Sequence, residues 1–95
     1  MEGGIMRLDK FLKVSFLVKR RTLAKEVCDQ GRVTVNGKTA KAGTTVAVGD
    51  EVSIRYGQKK VTVRVEKLLN SVRKEDAGQM YTLLREEAVH NDQKA

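Results

Sequence analysis

Apolar positions recur along the chain with two different periods. Leu8, Phe11 and Leu12 fall at i, i+3 and i+4 within RLDKFLKV, which is one face of a short helix. Leu23, Ala24, Val27 and Cys28 repeat that spacing and predict a second helix. Thr22 is placed to cap its free amides, and Gly31 to stop it in a left-handed conformation. From Val33 the period falls to two. Val33 and Val35 alternate with Thr34 and run into Asn36-Gly37, a dipeptide suited to a type I′ hairpin turn. Gly49-Asp50 predicts a further turn. Val52, Ile54 and Tyr56 then share one face of a strand, and Val61, Val63 and Val65 one face of its partner, with Gly57 at the connection. Ser53, Arg55, Thr62 and Arg64 point the other way. In NSVRKEDAGQMYTLLREEA the spacing turns helical again. Ala77, Met80, Tyr81, Leu84 and Ala88 predict a C-terminal helix capped by Asn70 or Ser71, although Gly78 weakens it by about 1 kcal/mol relative to alanine.

This order of elements predicts an α+β fold, with two short N-terminal helices packed on a small, mostly antiparallel sheet and a C-terminal helix. The expected division is a domain over residues 6–69, the C-terminal helix over 70–88, and disordered ends at 1–5 and 89–95. The 95 residues suit one domain with a modest core and leave little room for a deep substrate cavity. No apolar run approaches the roughly 18 residues of a membrane span. MEGGIMRLDK lacks the hydrophobic core of a secretory signal, so a cytoplasmic protein is expected. Cys28 is the single cysteine, which excludes an internal disulfide.

Charge changes the picture more than composition does. The formal net charge is +7, and residues 7–41 alone carry ten basic and three acidic side chains. Residues 42–95 hold nine basic and eight acidic ones and nearly cancel. A charge run is usually a solvated face. One concentrated in a third of the chain is better explained by an anionic partner, and nucleic acid is the commonest for a small basic domain. Arg7, Lys10 and Lys13 lie off the apolar face of the first helix. Lys19, Arg20 and Arg21 lie at the entry to the second, where free amides also attract phosphate. With Lys25, Arg32 and Lys38 they form the candidate binding set. RNA suits this set better than DNA. The second helix exposes Lys25, Glu26, Asp29 and Gln30, two of them acids, whereas structured RNA is often recognised through shape and backbone.

Catalytic constellations are missing. The sequence has neither a GxxxxGK[ST] loop nor a GxGxxG turn. Cys28 and His90, one of each, cannot supply a standard zinc site, so neither metal nor cofactor is expected. A small core thiol and a solvated histidine account for them better than a thiol–imidazole pair does. The adjacent acids Asp50-Glu51, Glu75-Asp76 and Glu86-Glu87 suit turns and helix surfaces. The protein is therefore expected not to be an enzyme.

The segment RLDKFLKVSFLVKRRTLAKEVCDQGRVTVNGKTAKAGTTVAVGDEV resembles the S-four RNA-binding domain, or alpha-L motif. The matching features are Arg7-Leu8-Asp9, Leu12, the basic run to Arg21, Ala24, Gly31-Arg32-Val33, Val35-Asn36-Gly37 and Gly49-Asp50. IRYGQKKVTVRV and KEDAGQMYTLL extend the similarity to small stand-alone members of Gram-positive bacteria, the ribosome-associated quality-control P-site factors. The resemblance implies an RNA surface of two helices and a hairpin. It also implies rRNA of a large ribosomal subunit and a peptidyl-tRNA as partners, a monomer off the ribosome, and support of an alanine-tailing partner of the RqcH type that marks stalled chains for degradation. Related heat-shock members bind blocked large subunits, so large-subunit assembly or heat-shock recycling is the alternative task. A protein-interaction adaptor using the C-terminal helix is the alternative class. Phe16 departs from the family pattern, in which arginine stands there, so that contact is not carried over.

Overall fold

The computed structural model describes residues 4–69 and 73–88. Strand β1 (Ile5–Arg7) leads straight into helix α1 (Leu8–Val14), and α2 (Arg21–Asp29) follows after a six-residue connection. The strands β2 (Val33–Val35), β3 (Lys38–Thr39), β4 (Thr45–Ala47), β5 (Glu51–Tyr56) and β6 (Lys59–Val65) come next. A 3-10 helix (Lys74–Met80) and strand β7 (Tyr81–Ala88) end the described chain. All pairings are antiparallel, in a small β1–β4 sheet and a five-stranded sheet of order β3-β2-β5-β6-β7.

One apolar core joins these parts. Leu8, Phe11 and Leu12 from α1 and Ala24 and Cys28 from α2 meet Val33, Val52, Ile54, Val61, Val63 and Val65 from the sheet. Each Leu, Ile, Val or Phe side chain among them contributes about 1.5–3 kcal/mol when fully removed from water, which short helices need because they do not persist alone. Strand register follows the period-two pattern: Val52 lies opposite Val63 and Ile54 opposite Val61. The Asn36-Gly37 turn has positive φ at both positions, 53° and 86°, as a type I′ turn requires. At the end of α2, Gly31 takes φ 78°. Its N–H donates to the Cys28 carbonyl and that of Arg32 to the Val27 carbonyl, which satisfies two otherwise orphaned acceptors.

The C-terminal helix is where expectation and structure part. Residues 81–88 form a strand along β6, from Val65 opposite Tyr81 to Lys59 opposite Ala88. Without it β6 would be an edge with unpaired backbone groups, and satisfying them outweighs a weak helical preference that already carries Gly78. Tyr81-Thr82-Leu83 is itself good strand sequence. Leu84 is an extra residue at a register shift of this strand and is exposed, so it belongs to no buried helical stripe. The segment before the strand is helical only as a 3-10 turn, and its Met80 is fully buried. The proposed caps Asn70 and Ser71 lie outside the described residues. The boundary at residue 69 therefore does not mark a separate helix, because β7 completes the same sheet. Of the expected disordered ends, Ile5 is a strand residue paired with Ala47, and 1–3 and 89–95 lie outside the described residues.

Two details of α2 also differ. Thr22 is not the cap: Arg20 occupies that position, with no side-chain acceptor on the first amides, and Thr22 lies inside the helix. The chain already turns helical at Arg21, which Asp9 holds. Leu23 is 43% exposed, so the buried stripe narrows to Ala24 and Cys28 with Val27 half-buried.

Candidate nucleic-acid interface

The basic face is organised by an acid. Asp9 sits in the first turn of α1 and is only 3% exposed. Its carboxylate accepts hydrogen bonds from Arg7 Nε at 3.2 Å, Arg7 Nη2 at 3.3 Å and the Lys10 backbone N–H at 2.8 Å. Arg21 Nε approaches its second oxygen at 3.4 Å, so one buried carboxylate ties the start of α1 to the start of α2. Burial pushes the Asp9 carboxyl up, but the hydrogen bonds and charges of Arg7 and Arg21 outweigh it and hold the group below its ordinary 3.8. The two arginine side chains remain 54% and 51% exposed. Each keeps guanidinium donors beyond those spent on Asp9, in a planar fork matched to phosphate.

Beside this pair stand the other cations of the α2 entry. Lys19 and Arg20 are exposed and line a shallow depression of about 380 Å³ with Thr22, Leu23 and Glu26. The first turn of α2 contains no acid and no side-chain cap, so its free amides add to the positive field. The connection carrying these residues is anchored by Tyr56, whose hydroxyl donates to the Leu17 carbonyl. Burial pushes that hydroxyl up to about 12, so it stays a donor at neutral pH. Lys13 places its ammonium 5.6 Å from the centre of the Phe16 ring. Phe16 is 42% exposed and left-handed, with φ 63°. It neither turns fully inward nor stands free, since it borders an open cleft with Leu17, Tyr56, Val61, Tyr81 and Leu83.

The nine candidate cations thus divide. Arg7 and Arg21 converge on Asp9, with Lys19 and Arg20 close in sequence and Lys10 and Lys13 on the same first helix. Lys25 is exposed on α2, and Lys38 on the β2–β3 hairpin. Arg32 lies past the other end of α2, roughly 13 Å along its axis from Arg21, and lines a groove of the sheet instead. Sequence reasoning missed Asp9 as the organiser. A signal was present: Asp9 is three residues before Leu12, on the flank of the buried stripe, where an acid needs a partner. Cys28 is buried, and burial together with Asp9 and Asp29 raises its thiol to about 11, which suits packing and not nucleophilic attack. Among the described residues no group of His, Cys, Asp and Glu could hold a metal ion, and His90 lies outside them. Among those residues, too, no helix is long and apolar enough to cross a membrane.

Two helices whose basic entry faces solvent, followed by a tight hairpin, define an S4-type RNA-binding domain, and the S4 domain family model matches residues 6–52. The chain belongs to the S4-domain family, among small members related over nearly their whole length. It is 63% identical over 84 residues to the RQC P-site tRNA stabilizing factor of Halalkalibacterium halodurans, covering 88% of this chain and 96% of that protein. Identity to the factor of the same name from Bacillus subtilis is 62%, covering 88% and 98% of the two chains. The structure of heat shock protein 15 from Vibrio cholerae superposes with a TM-score of 0.78 at 32% identity, covering 84% of this chain and 82% of that one.

Proposed function

We propose that this protein is a non-catalytic RNA-binding factor of ribosome-associated quality control. It binds rRNA of an obstructed large ribosomal subunit and steadies the P-site peptidyl-tRNA while an RqcH-type partner adds the alanine tail. The reading places it in the cytoplasm, as a monomer off the ribosome. The observation that carries it is the Arg7–Asp9–Arg21 arrangement, which presents two oriented guanidiniums beside Lys19 and Arg20. The names of the relatives supply the task.

Co-sedimentation with large subunits at low salt tests the surface. Arg20→Glu is the cleaner variant, since Arg21→Glu also breaks the contact with Asp9. Binding should fall by about tenfold or more, a loss of ~1.4 kcal/mol or more, and should weaken steeply with salt. A folded Arg20→Glu protein with wild-type association would rule the surface out. The likeness to heat shock protein 15 favours a second task, recycling or assembly of large subunits. Capture of the tagged protein separates them: peptidyl-tRNA with the tailing partner supports the first, immature rRNA the second. Retention of all binding after nuclease treatment would favour a protein adaptor.

A further inference from the structure

The face of the five-stranded sheet opposite the core carries a second set of cations. Arg32 precedes β2, and its carbonyl accepts from the Arg55 N–H at 2.9 Å. Arg55 on β5 lies directly opposite Lys60 on β6. With strands about 4.8 Å apart, Arg32, Arg55 and Lys60 form a row roughly 10 Å long. The next row along the same face is Thr34, Ser53 and Thr62, in register across β2, β5 and β6. Ser53 and Thr62 share a hydrogen bond of 2.9 Å. Gly31, Arg32, Thr34, Ser53, Arg55 and Lys60 enclose a groove of about 360 Å³ whose lining contains no acid. Glu87 pairs with Lys60 in register on β7, and both line the adjoining hollow with Glu51 and Arg85. Even so, none of Arg32, Arg55 and Lys60 makes an ion pair with a described residue.

Like charges directly opposite on a sheet destabilise it. Glu87, opposite Lys60 on its other side, offsets part of this, but Arg55 has no acid opposite it and an anion lying across Arg55 and Lys60 would offset the rest. Thr62 is buried and shares its hydroxyl with Ser53, but Thr34 and Ser53 line the groove beside the cations, where the Thr34 hydroxyl adds a neutral donor for the oxygens of such an anion. We infer that this groove is a second phosphate-backbone site, which takes a strand of RNA distinct from the one at the α1–α2 face. The identity of the polymer rests on the RNA-binding reading above; the position of the groove does not. The charge complementarity is with a polyanion, and the protein would then hold RNA on two sides.

The test uses the full-length protein and a labelled 20-base-pair RNA duplex, with affinity measured against salt. Arg55→Gln with Lys60→Gln should lower the slope of log K against log salt by about two, roughly one for each phosphate no longer neutralised. Arg20→Gln with Lys19→Gln should lower it independently, and the four changes together additively. Amide shifts of the wild-type protein titrated with the same duplex should move at Arg55 and Lys60, a readout that needs no variant. An unchanged slope in Arg55→Gln/Lys60→Gln, while Lys19→Gln/Arg20→Gln lowers it, overturns the groove and leaves the helix face standing. If neither pair alters the slope, the helix-face reading fails as well. An oligoglutamate peptide that binds through Arg55 and Lys60 while the duplex does not would overturn RNA as the occupant.

Discussion

Arg7 and Arg21 at the helix entry and Arg55 and Lys60 on the sheet are chemically alike and are held in opposite ways. The first pair is gathered by a buried carboxylate that needs both cations. The second pair is set face to face by strand register, with no acid in the groove between them. Cations of the first kind are part of the scaffold, so on the proposed reading their removal should lower stability and RNA affinity together. Arg55, of the second kind, faces Lys60 with no acid opposite it, so on the proposal above its removal should weaken binding without cost to the fold. Local charge density does not distinguish the two; the burial of the counter-charge does.

The largest effect should come from breaking the first pair. Arg7→Ala with Arg21→Ala leaves Asp9 buried without its charge partners. Stripping a buried ion of its partner costs about 3–5 kcal/mol, and the half-exposed arginines put this case near the lower end. The thermal midpoint should then fall by roughly 12 °C or more, at about 4–8 °C per kcal/mol for a domain of this size, as followed by circular dichroism. A midpoint unchanged within a degree or two would mean that Asp9 is solvated in the double variant and organises nothing.

That organising acid also shows how far the chain can be read without a structure. Both helices, the Asn36-Gly37 hairpin and the β5–β6 pairing follow from local rules: apolar period, a glycine stop, a turn dipeptide. Those rules act within a few residues, and the structure obeys them. The features that escaped all depend on distant partners. Residues 81–88 form a strand because β6, fifteen or more residues earlier in the chain, offers unpaired backbone. Thr22 is displaced as a cap because Arg21, drawn to Asp9 twelve residues before it, already begins the helix. Arg55 and Lys60 belong to a half of the chain whose charges nearly cancel, and only register collects them on one face with Arg32. The nine basic residues chosen from charge clustering therefore include the helix-entry set but only Arg32 of the groove.

A smaller effect sharpens the role of Asp9. Its folded value lies below the ordinary 3.8, so its contribution is present in full above the unfolded value and is lost as pH falls through the folded one. Stability of the wild-type protein should therefore drop more steeply below about pH 4 than that of Asp9→Asn, whose amide does not titrate. At neutral pH Asp9→Asn should be less stable by about 1–3 kcal/mol, the worth of hydrogen bonds to a charged group. Urea melts at pH 7 and pH 3 check both. A gap between the two proteins that narrows from pH 7 to pH 3 is expected, and parallel acid limbs would assign the sensitivity to another carboxylate.

The smallest effect has the opposite sign and is the most discriminating. Arg55→Thr removes the repulsion with Lys60 and places a β-branched residue at a strand position, both favourable to the sheet. Stability should rise by a few tenths of a kcal/mol, roughly 1–4 °C in the thermal midpoint. The gain should shrink with added salt, which screens the repulsion in the unmodified protein. Affinity for an RNA duplex should fall in the same variant. A residue whose loss strengthens the fold and weakens the complex is held in place by the ligand and not by the scaffold. If Arg55→Thr instead lowers the midpoint, Arg55 supports the sheet, and the contrast with Arg7 and Arg21 collapses into one kind of site.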